Sequence, residues 1–322
     1  MKIKRVIAIC LCLMLFAMMS IGSGSSTSGS RKDITASGGQ QATDGGSDSD
    51  QGIPETDGGS GEGSANAGDS DEAVTNITID EQVLVDQDGI RITATGYEAD
   101  SVWGEGIGLL IENNSDKDYT VGCDALIVND YMISDLFATT VAAGKKATDT
   151  MYLSSTQLKA AGIDSVGKVE MYFHAYDDDS LDRLFSEVYS EIKTSEFDHM
   201  DTECDDSGTE LYNKNGIRII GKTVDEDSFW GMAILLFCEN SSGRKISINI
   251  DDMSINGFMV TPYFSSMIYD GKKAVEDITI MSGDLESNGI ESIDEAELKF
   301  RIMDADTYDT IDETDTIAFS AK

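Results

Sequence analysis

The chain has 322 residues, with 60 Asp and Glu against 23 Lys and Arg, a net charge of −37 and 40% hydrophobic residues. A surface this acidic excludes nucleic-acid binding, which needs basic contacts to phosphate, and predicts repulsion from anionic lipid and wall polymers.

Residues 1–22 read as a secretory signal. Lys2, Lys4 and Arg5 precede an apolar run from Val6 through Met19, and the small residues Ser20 and Gly22 suit cleavage after Gly22. The run to Ile21 is slightly short of the roughly 17–25 residues of a spanning helix, which leaves an uncleaved anchor as the alternative. Cys10 and Cys12 sit inside the apolar run behind large residues, so lipid attachment is not expected. Cleavage removes three positive charges and takes the net charge to −37 − 3 = −40. The expected location is extracytoplasmic, secreted or associated with the cell surface, without membrane insertion after cleavage.

Residues 23–79 are expected to form a disordered Gly/Ser/Asp-rich linker. Large apolar residues are nearly absent as far as Ala73, and no Lys or Arg occurs between Lys32 and Arg91. Such a segment buries too little surface to offset its ordering entropy, and its like charges extend it. It serves as a spacer or as an inert tail.

Beyond it the chain repeats itself. Gly89-Ile90-Arg91-Ile92 recurs as Gly216-Ile217-Arg218-Ile219, an offset of 216 − 89 = 127. Trp103-Gly104, Glu112-Asn113, Gly144-Lys145-Lys146-Ala147 and Gly162-Ile163 return at the same offset. The period exceeds the roughly 20–50 residues of a solenoid unit and fits a domain copied in tandem. The predicted units are repeat 1 (80–194), an acidic inter-domain linker (195–208) and repeat 2 (209–320).

Within each repeat the signals are those of short strands and tight turns. Asp88-Gly89 and Asn215-Gly216 supply the positive φ of hairpin turns, as does Asn256-Gly257, with Asn129-Asp130 as a weaker counterpart. Gly108-Leu109-Leu110-Ile111 and Ala233-Ile234-Leu235-Leu236-Phe237 are apolar without alternation and read as central strands. One short helix follows in each copy, N-capped by Ser155 or Ser282. Gly162 and Gly289 stand at the left-handed position of a Schellman ending, with Ile163 facing Leu158 and Ile290 facing Leu285. Alternating strands then lead to closing strands near Val188 to Ile192 and Ile317 to Phe319. Seven or eight strands with hairpins and a helical crossover predict an all-β chain of two tandem immunoglobulin-like β-sandwiches.

The pattern Asp-Gly-Ile-Arg-Ile, then Leu-Ile-Glu-Asn-Asn-Ser-Asp-Lys-Asp-Tyr, then Gly-Lys-Lys-Ala resembles a repeated domain of exported Firmicutes proteins, similar to the immunoglobulin-like DUF4352 domains. The resemblance covers both copies and rests mainly on turns and core positions. It implies an extracytoplasmic module and carries no catalytic residues. Repeat 2 departs from it at Ser241-Ser242-Gly243, where repeat 1 has Asn114-Ser115-Asp116.

Candidate chemistry is sparse. Trp103 and Trp230 occupy equivalent positions as core anchors or, if exposed, as ligand-stacking residues. Asp177, Asp179 and Asp182 share a loop position with Asp304, Asp306 and Asp309, and that spacing suits either calcium ligands or solvated turns. An EF-hand is ruled out, since the Gly and Glu it needs are missing. Cys123 and Cys238 stand where the other copy has Ile250 and Ile111, and read as small buried hydrophobes, while Cys204 reads as an exposed thiol. Lys145-Lys146 and Lys272-Lys273 read as solubilising hairpin tips. His174 and His199 have no duplicated partner, and the sequence has no nucleophile elbow, phosphate loop or zinc motif. The reading is an exported, non-catalytic tandem binding or adhesion module without cofactor, for an unknown protein or glycan at the cell surface. The alternatives are a ligand-free envelope spacer and a calcium-dependent surface protein.

Overall fold

The computed structural model describes residues 31–36, 77–99, 104–201 and 203–321. The signal segment, Trp103 and the linker stretch 37–76 lie outside the described residues. The fold is all-β, with two short helices among the described residues. Neither helix is long and apolar enough to cross a membrane.

In repeat 1, β2 (Gln82–Gln87), β3 (Ile90–Glu98), β4 (Gly106–Asn113) and β8 (Lys146–Tyr152) form an antiparallel sheet in the order β2-β3-β4-β8. Its apolar side meets β5 (Tyr119–Val128), β9 (Lys168–Asp177) and β10 (Arg183–Lys193), with β6 (Tyr131–Ile133) and β7 (Ala138–Val141) paired to β5. One buried cluster, including Ile92, Leu109, Ile111, Met151, Leu126, Met171 and Phe173, draws on both groups of strands.

Repeat 2 follows the same plan. β11 (Thr209–Lys214), β12 (Ile217–Ser228), β13 (Gly231–Asn240) and β18 (Lys272–Met281) pair in that order. β14 (Ile246–Ile255) pairs with β15 (Phe258–Met259), β17 (Ser265–Ile268) and β19 (Glu295–Asp304), and β16 (Pro262–Tyr263) pairs with β18. β20 (Thr310–Glu313) and β21 (Ile317–Ala321) complete the pairing on β19. A second cluster, including Ile219, Leu236, Ile248, Phe300 and Phe319, fills the space between these strands.

The expected turns form as the residues dictate. Asp88, Asn129, Asn215 and Asn256 all adopt positive φ, three of them followed by glycine in the same region. The helices α1 (Ser155–Ala160) and α2 (Ser282–Asn288) end as expected. Gly162 and Gly289 have φ of 70° and 65°, with Ile163 N donating to Leu158 O at 2.8 Å and Ile290 N to Leu285 O at 2.9 Å. Their starts differ from expectation by one residue. Ser154 caps α1, accepting from Gln157 N, and Met281 precedes α2 without a side-chain cap.

Two buried asparagines explain why Glu-Asn recurs. Asn113 donates to Lys117 O and Val141 O, both at 2.8 Å, and Asn240 donates to Arg244 O and Ile268 O at the same distances. Each ties the turn that follows its own strand to the end of a neighbouring strand, β7 in repeat 1 and β17 in repeat 2.

The disorder expected throughout 23–79 is overturned. Lys32–Ala36, inside the segment 23–79 expected to be disordered, forms strand β1, which pairs with β12 and β21 of repeat 2. Composition concealed it because the strand is short and rests on a single large apolar residue, Ile34, which is 3% exposed.

The repeats also meet directly. Tyr131 of β6 and Lys273 of β18 make a parallel bridge, and Ile220, Phe237 and Val275 join the repeat 1 cluster. Lys272, read as a solubilising tip, is clasped by Asp130 at 2.6 Å and Glu170 at 2.5 Å. Its counterpart Lys145 is exposed, as expected. Cys204, expected to be exposed, is a free thiol that packs half-buried against the repeat 1 cluster.

Candidate functional site

A cleft of ≈ 490 Å³ opens in repeat 1 between the segment joining β6 to β7 and the end of β8 with the start of α1. That volume falls in the roughly 300–1,000 Å³ range of small-ligand sites. Its rim carries two exposed apolar side chains, Leu136 at 59% and Tyr152 at 38% exposure. Asp135, Asp149, Thr150 and Ser155 supply polar groups.

The position of the rim follows from local hydrogen bonding. Gln157, on α1, accepts from Ser134 N at 2.7 Å and donates to Ser134 Oγ at 3.1 Å, tying the β6–β7 segment to the helix. Asp135 Oδ1 accepts from Phe137 N at 3.0 Å, so the chain turns on itself instead of extending. Thr139 Oγ1 donates to Asp149 Oδ2 beside it.

Repeat 2 shows what this turn prevents. At the 127-residue offset Asp135 and Leu136 become Pro262 and Tyr263, which pair as β16 with Ile280 and Thr279 of β18. The anchoring device is retained, since Thr261 N donates to Asp284 Oδ2 at 3.1 Å. Proline removes the side-chain acceptor that folds the repeat 1 segment, and the ladder closes. β8 has no corresponding partner among the described residues, so its edge borders the cleft.

The electrostatics of the cleft are specific. Burial pushes the Asp135 carboxyl up to about 6, and repulsion from Asp124 adds to it against the Phe137 N–H and His174. Below the cleft, His174 Nδ1 lies 2.9 Å from Asp124 Oδ1, an ion-pair distance off the line of a hydrogen bond. Burial raises the Asp124 carboxyl, but His174, the Glu187 N–H and Arg183 outweigh it and hold the group well below its usual range. Burial pushes the Cys123 thiol well up, and its Sγ donates to Ala125 O at 2.9 Å, so it stays a thiol. The chemistry on offer is shape, apolar contact and one carboxyl that burial raises to about 6.

The candidate residues from the sequence lie elsewhere. Asp177 Oδ1 accepts from the backbone of Asp179 and Ser180, both at 3.0 Å, and its Oδ2 from Lys117 at 2.6 Å. The Lys117 contact, first among these, holds Asp177 down at about 2. Asp304 Oδ1 likewise accepts from Asp306 N and Thr307 N at 3.0 Å. These carboxylates cap their own turns, and no group of three or more metal-ligating side chains converges among the described residues. Asp179 and Asp306 join these turns through their backbone N–H groups, and Asp182 and Asp309 through their carbonyls, which accept from Asp177 N and Asp304 N at 2.9 Å; the Asp306 carboxylate meets Lys245 at 2.7 Å. Trp230 is half-buried at the β12–β13 turn, edge-to-face with Phe229 at 4.8 Å, rather than in the core. Phe229 itself is 78% exposed. Sequence reasoning missed the cleft, although Asp135 facing Pro262 across the repeat register was its one visible sign.

No family model and no curated protein matches the chain. Among solved structures it is similar to the crystal structure of the YadV chaperone, at 14% identity and a TM-score of 0.22, covering 73% of this chain and 100% of that one. It is also similar to a protein of unknown function from Porphyromonas gingivalis W83, at 10% identity and a TM-score of 0.20, covering 67% and 89%.

Proposed function

We propose that the protein is an exported, non-catalytic module of two tandem immunoglobulin-like β-sandwiches that binds a protein or glycan at the cell surface through the repeat 1 cleft. The observation that carries this reading is the asymmetry between the copies. One frame is closed at β16–β18, while the other keeps a ≈ 490 Å³ cleft with exposed Leu136 and Tyr152 on its rim. Exposed apolar side chains around a concavity mark interaction sites more often than chance. The leader sequence and the resemblance to DUF4352-like domains support export and the immunoglobulin-like assignment.

The test is binding of the leaderless chain to peptide and glycan arrays, repeated with Leu136→Asp and Tyr152→Ala. Loss of the same bound species in both variants, with the circular dichroism unchanged, is expected. Bound species that persist in both variants refute the cleft as the seat. A spacer role is the second reading, favoured by the clasp of Lys272 between Asp130 and Glu170 that joins the repeats.

A further inference from the structure

The second repeat does not supply all of its own strands. In repeat 1, the segment immediately before β2 seals the end of the core. Ile77 is buried, Ser195 N donates to Thr78 O at 2.9 Å, and Thr78 N donates to Ser195 Oγ at 3.2 Å. At the 127-residue offset those positions are Cys204 and Asp205, followed by Asp206. None of these residues seals repeat 2. Cys204 packs against the repeat 1 cluster, Asp205 meets Lys222 at 2.8 Å, and Asp206 meets Arg218 at 2.6 Å.

The open slot is filled instead by β1. Asp33-Ile34-Thr35 repeats the Asn76-Ile77-Thr78 pattern of repeat 1. Ile34 pairs with Ala321, Thr35 with Ser320 and Ala36 with Phe319, while Lys32 and Asp33 pair with Val224 and Thr223. Thr209 Oγ1 donates to Ile34 O at 2.5 Å. The fit is specific, since a Cβ on Gly221 would stand 3.1 Å from two methyl carbons of Ile34. Lys32 Nζ meets Glu226 at 2.8 Å and fixes the register at the other end.

Donor and slot are therefore separate in sequence, joined through residues 37–76 and the whole of repeat 1. Forty residues span at most about 140 Å, so the covalent connection sets only a loose bound on which slot a given β1 enters. Every contact just described is unchanged whether the strand comes from the same chain or another. The donor holds its place through one buried side chain, a handful of ladder bonds, the Thr209 hydrogen bond and the Lys32–Glu226 pair, few enough that release is within reach. Donor and slot are different surfaces, which makes such a contact heterologous and able to propagate from copy to copy.

We propose that the repeat 2 slot between β12 and β21 is a strand-accepting site for the Lys32–Ala36 segment of a second copy, which links molecules by strand exchange. This goes beyond the cleft reading and does not depend on it. The experiment uses chains without residues 1–22 in a Cys204→Ser background. One population carries Thr35→Cys and another Ser320→Cys, residues that face each other in the ladder. The two are refolded together over a concentration series, oxidised, and read on non-reducing gels. A disulfide-linked species of twice the chain mass is expected in the mixture, rising with concentration and absent from either population alone. Adding Ile34→Asp to the donor chain, which leaves the acceptor intact, is expected to lower its yield at least tenfold. A Thr35→Cys/Ser320→Cys double variant reports the intramolecular link. If that variant links only within itself and the mixture never links, exchange is refuted. If neither links, β1 does not occupy the slot and the proposal falls as well.

Discussion

Replacing Lys272 with Met tests whether the junction between the repeats is held by a buried cation, and the repeat supplies its own control. Lys272 Nζ sits 2.6 Å from Asp130 and 2.5 Å from Glu170, with its side chain 13% exposed and that of Glu170 7% exposed. Removing one partner of a buried ion pair costs roughly 3–5 kcal/mol when nothing replaces it. Here Lys168 stays 2.8 Å from Asp130 and 3.4 Å from Glu170, and Tyr189 still donates to Glu170 at 3.1 Å. The expected loss is therefore smaller, about 2 kcal/mol, as for one charge-assisted hydrogen bond. Lys145→Met, at the equivalent but exposed tip, should stay within about 0.5 kcal/mol. Urea unfolding of the leaderless chain, followed by circular dichroism, gives both values. The pH window follows from the shifts. Burial acts to raise the Asp130 carboxyl, but Lys168 and Lys272 lower it overall, so its share is present above about 3.9 and is lost as pH falls through the folded value. Burial acts to lower the Lys272 ammonium, but Asp130 and Glu170 raise it overall, so its share is present below about 10.4 and is lost as pH rises through the folded value. The difference between the two variants should be flat between about pH 5 and 9. Equal losses at Lys145 and Lys272 would refute the clasp.

Three further outcomes are expected. Gly289→Val should cost about 1–3 kcal/mol through its positive φ alone, since an added Cβ meets nothing within 4 Å; a change under about 0.5 kcal/mol in the same unfolding assay would contradict the left-handed ending. Burial, with repulsion from Asp277, pushes Glu276 up to about 8, so its neutral form favours the fold and stability is lost as pH rises from about 4.3 through 8. Glu276→Gln should flatten that slope, and an unchanged slope would sink the assignment. Calcium, magnesium and sodium chloride at matched ionic strength should shift the melting temperature equally, because Asp177 and Asp304 already serve their own turns; a calcium-selective shift lost in Asp306→Ala would overturn this.

Much of the frame was legible because it rests on local chemistry. Asp88-Gly89 and Asn215-Gly216 dictate their turns whatever surrounds them, and Gly162-Ile163 and Gly289-Ile290 end their helices in the same way. The apolar runs of β4 and β13 belong to interior strands, as their lack of alternation required. What stayed hidden depends on distant partners. Nothing near Ile34 indicates that Gly221, far along the chain, leaves room for it. Lys145 and Lys272 sit in identical tetrapeptides, yet only Lys272 meets Asp130 and Glu170. The calcium spacing was ambiguous in sequence because an aspartate opening a tight turn accepts from backbone amides, as Asp177 and Asp304 do, and the same residue pattern serves either role.

The polar groups that hold the two frames together are shared by the copies. The brackets at Asn113 and Asn240 are buried and make matching hydrogen bonds, as do Asn129 and Asn256 to Ser165 O and Ser292 O, both at 2.8 Å. Changing any of these strands several buried polar groups at once, which costs more than an exposed position ever does. Part of the divergence lies at edges and tips. There it has produced an open cleft against a closed one, a clasped lysine against a free one, and a borrowed strand against a local one. The first leaves β8 with an open edge, and the third leaves repeat 2 with a slot that a segment outside the repeat fills. An acidic chain repels its own copies at long range, so the strand exchange proposed above has to draw on short, specific complementarities of this kind.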